Sequence, residues 1–152
     1  MAKVLFYHLT QSTAEDTLRQ LAGRALAQGW RVMLRGTEPA NLQRLDARLW
    51  SEPADSFLPH GLEGGEHDAA QPLLIGQGLI GNAAQALILI DGAEASLDEM
   101  RTLERVWILF DAHVPERLAF ARDQWRAVTA AEIPAEYWSE ETGRWEKKAS
   151  KG

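Results

Sequence analysis

Five short stretches of the chain are apolar at most positions: KVLFYHL (3–9), WRVMLRG (30–36), PLLIG (72–76), ALILID (86–91) and ERVWILFD (104–111). A strand with one wet face alternates polar and apolar residues, so the unbroken runs at 72–76 and 86–91 read as strands buried on both faces, as in a parallel sheet. Between the first two runs the spacing turns helical. Ser12 is placed to cap a helix with Glu15 three positions on, Leu18, Leu21, Ala22, Ala25 and Leu26 recur at helical intervals, and Gly29 suits a C′ position. Strand, helix and strand over about 30 residues imply a right-handed parallel unit. A second helix is expected over 41–50, with Leu42, Leu45 and Leu49 on one face, then a short one near 96–103 and a long one from Val114 to Ala131. The Pro-, Gly- and acid-rich stretch 53–71 reads as a long surface connection. EIPAEYWSEETGRWEKK reads as strand-like pieces around a Thr-Gly turn. The expected organisation is one α/β domain over 1–148 and a flexible basic tail over 149–152.

Composition removes several classes of function. A net charge of −6 argues against broad contact with a phosphate backbone, which depends on Lys and Arg displacing counterions, so direct nucleic-acid binding is not expected. One local exception stands out: Arg117, Arg122 and Arg126 lie close together, and Arg144, Lys147, Lys148 and Lys151 follow near the end, which suggests a small anionic partner. The chain has no apolar run near the roughly 20 residues of a membrane span and no signal-like start, so a cytoplasmic protein without membrane contact is expected. Without cysteine there is no thiolate catalysis, and a metal would need His and carboxylates. His60, Glu63, Glu66, His67 and Asp68 could cluster, but a solvated loop accounts for them more simply; no metal and no cofactor are expected. His8 reads as a satisfied strand histidine, and His113 lacks the partners a catalytic triad requires.

Gly76-Gln77-Gly78-Leu79-Ile80-Gly81 matches the G-x-G-x-x-G spacing of a dinucleotide-binding turn. Such a turn must open a helix that receives the pyrophosphate at its N-terminus, and only Asn82 to Gln85 separate Gly81 from the next strand. The motif is therefore expected to turn the chain between two adjacent strands. The alternative is a small α/β enzyme using GQGLIG and a carboxylate such as Asp91 for nucleotide or phosphate chemistry. No Walker motif, G-x-S-x-G or H-E-x-x-H accompanies it.

The stretch Leu45-Asp46-Ala47-Arg48-Leu49-Trp50-Ser51-Glu52-Pro53-Ala54-Asp55-Ser56-Phe57-Leu58-Pro59-His60 resembles the L-D-x-x-L-W-x-x-P-x-x-S-F-x-P-H motif of the chi subunit of bacterial DNA polymerase III. FYHL, WRVML, ALILID, the A-R-x-x-W-R helix and the C-terminal G-R-W-E extend the likeness over nearly the whole chain. The resemblance implies a three-layer α/β fold, with helices on both faces of a mostly parallel mixed sheet, like that of nucleotide hydrolases but lacking their phosphate loop. It implies a non-catalytic accessory subunit of the clamp loader with two protein contacts. One, to which Trp50 and Phe57 contribute, takes the psi subunit or, alternatively, a helicase-like partner. The other captures the acidic C-terminal tail of single-stranded-DNA-binding protein, which ends in phenylalanine with a free carboxylate.

For the tail, Arg122, Trp125 and Arg126 are related by i+3 and i+4 and project from neighbouring positions on one helix. An arginine can hold a terminal carboxylate with two parallel hydrogen bonds while an apolar wall, to which Phe110 could add, accepts the phenyl ring and a second arginine attracts upstream aspartates. Where the family has a lysine this chain has Leu118, so that cationic contact is either lost or moved to Arg117. From pattern alone, the favoured reading is that Trp125 packs on the core with Leu118, Ala121 and Val128 while the arginines are ordinary solvated charges; the resemblance reverses that preference.

Overall fold

A computed structural model describes residues 2–51 and 59–151, apart from the side chains of Trp50 and Ser51. Phe57 lies outside the described residues, so its place and that of the Trp50 side chain are not described. The strands are β1 (Val4–Leu9), β2 (Val32–Arg35), β3 (His60–Leu62), β4 (Leu73–Gly76), β5 (Ala86–Leu89), β6 (Arg105–Asp111), β7 (Ala135–Ser139) and β8 (Glu146–Lys151). They form a single sheet in the order β3-β4-β2-β5-β6-β1-β7-β8, in which every pairing is parallel except the antiparallel β7–β8.

The helices are α1 (Ala14–Ala27), α2 (Pro39–Ser51), α3 (Leu97–Arg101) and α4 (Pro115–Ala130). Strand periodicity sends Leu5 and Leu9 to a core with Leu18, Leu21, Leu42, Leu45 and Leu49, so α1 and α2 cover one face. Val4 and Phe6 point the other way, against Met100, Ala121 and Val128 of α3 and α4. The expected three-layer α/β fold with helices on both faces is the one observed.

Four local expectations are corrected. Thr13, not Ser12, caps α1: its side chain accepts from the Asp16 amide at 3.1 Å, because the Ser12 hydroxyl is drawn to Glu140 instead. The stretch read as a surface connection contains β3, an edge strand of three residues whose His60 pairs with Leu73. The tail expected to be mobile from 149 instead completes β8, where Lys151 pairs with Ala135. Finally, β4 and β5 are not neighbours. Both flank β2, with Leu73 and Ala86 each beside Val32, so 77–85 must cross the end of β2 without a helix. The gap is about 10 Å, two strand spacings, and a stretch of this length can reach roughly 30 Å. The Asn82 amide fastens the crossing to the Val32 and Gln71 carbonyls at 3.0 and 2.8 Å.

Candidate functional site

Three of the concavities among the described residues are told apart by their cations. One, of ≈ 660 Å³, lies between the 77–79 loop, α3 and α4 and contains Arg35. That guanidinium is held from inside the fold: it makes two bonds of 2.8 Å to Glu99 and one each to the Gly78 and Glu94 carbonyls. The hydrogen bond from Arg35 holds the Glu99 carboxyl below its usual range, against the opposing effect of burial. Here the charges close the fold internally.

A second cleft, of ≈ 390 Å³, sits at the carboxyl ends of β1, β5 and β6, where open parallel sheets commonly bind ligands. Its cations are also committed. Arg117 donates to the Asp91 carbonyl at 2.6 Å, and Arg44 to Asn41 and Glu15. Arg117 thus lines this cleft and not the concavity that holds Arg122. Next to this cleft the β1–α1 loop, the usual seat of a phosphate, holds the Glu140 carboxylate. It accepts from the amides of Thr10, Gln11 and Ser12 at 3.1, 3.0 and 2.7 Å and from the Ser12 hydroxyl at 2.7 Å.

The GQGLIG turn is filled in the same way. Glu63 accepts from the Gln77 amide at 2.7 Å and from the Gly78 amide at 3.2 Å. A Cβ on Gly76 would stand 2.1 Å from the Glu63 carboxyl carbon, so any larger residue there would push Glu63 off the amides it caps. Asp91, the carboxylate of the enzyme alternative, accepts from the Asn41 side chain at 2.6 Å. The possible metal group is dispersed: His60 is buried against Asp46, and Asp68 accepts from the Gly64 and Gly65 amides. Among the described residues no group of three or more His, Asp or Glu is arranged to hold a metal ion.

The third concavity, of ≈ 330 Å³, is lined by His8, Arg122, Trp125, Tyr137, Ser139, Glu141, Lys148 and Ala149. Its volume falls in the range of roughly 300–1,000 Å³ typical of small-ligand clefts. Helix α4 supplies one wall and the β7–β8 hairpin the other. Trp125 is half-buried and packs edge-on against Phe6 (5.4 Å) and Tyr137 (5.9 Å), so it belongs to the core and to the wall at once. Arg122 is exposed and forms no ion pair among the described residues. The hairpin contributes Lys148, whose nearest acid, Glu146, is 3.8 Å away. His8, on the floor, meets the Tyr137 hydroxyl through Nδ1 and Glu141 through Nε2, both at 2.9 Å. Burial lowers the His8 pKa and outweighs the upward pull of Glu141, so the ring is neutral at pH 7; its contacts fit the tautomer protonated at Nε2.

Of the residues expected to take the tail, the concavity brings together Arg122 and Trp125. Phe110 is buried behind it, 6.0 Å from Tyr137 and 5.5 Å from His8, and supports the wall without lining it. Arg126 faces solvent and pairs with Asp123 at 2.9 Å. Sequence reasoning did not assign Tyr137, Ser139, Glu141, Lys148 and Ala149 to the site; the run of C-terminal cations was the one available signal.

Comparison with known proteins adds a family. The model described as "DNA polymerase III chi subunit, HolC" matches residues 1–136. The chain belongs to the DNA polymerase III chi subunit family. Two chi subunits illustrate the relationship: that of Pseudomonas aeruginosa is 36% identical over 81 residues, 51% of this chain and 56% of the relative. That of Escherichia coli K12 is 37% identical over 71 residues, 42% of this chain and 48% of the relative. The chain thus spans about half the length of these chi relatives, and most of the hairpin wall lies beyond residue 136, where the chi family match ends.

Proposed function

We propose that this chain is a non-catalytic accessory subunit of the DNA polymerase III holoenzyme. It works in the cytoplasm and links the clamp loader, through psi, to the acidic C-terminal tail of single-stranded-DNA-binding protein during DNA replication. Membership of the chi family supports the place in the holoenzyme. The observation that carries the tail reading is the concavity between α4 and the hairpin, which sets an arginine without an ion pair among the described residues beside an aromatic wall. A peptide ending in phenylalanine offers the matching groups: a planar carboxylate for the Arg122 fork and a ring for Trp125 and Tyr137. Trp50 and Phe57 are the residues we assign to psi, or to a helicase-like partner in its place.

A labelled acidic peptide ending in Pro-Phe, followed by fluorescence anisotropy, tests the tail reading. It should bind with micromolar affinity, weaken as salt rises, and lose about ten-fold or more in Arg122→Ala, the worth of a charge-assisted hydrogen bond. Failure of the wild-type chain to bind would remove this reading, and saturable nucleotide binding would support an enzyme instead.

A further inference from the structure

We infer that Lys148, on β8, is the second cation of the tail site and selects ligands with an acidic side chain upstream of their terminal carboxylate; this rests on the tail reading above. On α4, the two other arginines near Arg122 are accounted for elsewhere. Arg126 points to solvent and pairs with Asp123, and Arg117 is bound to the Asp91 carbonyl. The opposite wall presents one cation among the residues that line the concavity, and it is Lys148.

Charge makes this lysine decisive. With His8 neutral, the charged residues that line the concavity are Arg122 and Lys148 against Glu141, so a positive balance among the lining groups depends on Lys148. Lys148 shares an exposed ion pair with Glu146 at 3.8 Å, too weak to hold the ammonium against a ligand carboxylate. The two cations are also chemically distinct. The planar fork of Arg122 suits the terminal carboxylate, and the compact ammonium of Lys148, on the facing wall, acts as a point charge for an aspartate further up the peptide. Lys148 lies beyond residue 136, so it is a feature of this chain's own C-terminal hairpin and not of the matched family span.

The test uses two labelled peptides, Asp-Asp-Asp-Ala-Pro-Phe and Asn-Asn-Asn-Ala-Pro-Phe, both with free carboxyl termini, titrated into the full chain. Lys148→Gln should weaken the aspartate peptide about two- to five-fold, the range of an exposed ion pair, and leave the asparagine peptide unchanged. Lys148→Arg should retain affinity. Lys147→Gln, which removes the same charge from a residue that does not line the concavity, should have a smaller effect, and thermal melts confirm that each variant is folded. If Lys148→Gln binds both peptides as the wild type does while Arg122→Ala loses them, the inference falls and the tail reading stands. Equal losses in Lys147→Gln and Lys148→Gln also overturn it, since long-range charge would then suffice. If the wild-type chain binds neither peptide, the tail reading fails and takes this inference with it.

Discussion

Glu140 is 5% exposed, and its carboxylate satisfies three successive backbone amides and a hydroxyl between β1 and α1. Burial pushes its pKa up, but the bonds from Ser12, Gln11 and Thr10 together outweigh burial and leave it below the usual glutamate range. Because the folded value lies below the unfolded one, the stabilisation is present above the ordinary glutamate pKa of about 4.3 and is lost as pH falls through the folded value. Glu140→Gln keeps the shape but points amide hydrogens at donors. We expect it to cost about 2–4 kcal/mol at pH 7 in urea unfolding, with a flatter decline of stability in acid than the wild type shows. Equal stability of the two proteins at neutral pH would contradict this account. No local pattern marked Glu140, since its partners lie about 130 residues earlier, at separations of 128 to 130. Arg126 stands outside the concavity for a local reason. It follows Trp125 directly, successive helical residues point about 100° apart, and the rotation that seats Trp125 on Tyr137 turns Arg126 outward.

Element β8 shows where a sequence stops being legible. EKKASK has no apolar rhythm, is largely exposed, and becomes a strand only because β7 offers it an edge. The strands that were readable, β1, β2, β4, β5 and β6, are those buried on both faces, where burial itself writes the pattern. β3 is too short at three residues to carry a period, and the order β4-β2-β5 depends on long-range pairing that no window of 72–91 contains. Ending the chain after Trp145 would strip the cover from β7 and remove Lys148 and Ala149 from the concavity. The truncated protein should lose about 2 kcal/mol, a melting shift of roughly 4–8 °C, and tend to associate through the bared edge. An unchanged melting temperature and monomeric elution would show that β8 merely rests on the sheet.

The layers put α2 and α4 on opposite faces of the sheet. Helix α2, which carries Trp50, packs with α1 on one side, and α4, which carries Arg122, packs on the other. The contacts should therefore separate genetically: Trp50→Ala with Phe57→Ala should abolish co-purification with psi and leave peptide affinity unchanged. Loss of both together would mean the double variant had damaged the fold. Two loops of this fold stand where related architectures hold phosphates. In both, a glutamate of the chain itself, Glu140 or Glu63, already sits on the amides, so a nucleotide would have to expel a covalently tethered rival. For the proposed bridge the expected outcome is that added ATP leaves affinity for the acidic peptide unchanged whereas raising salt weakens it.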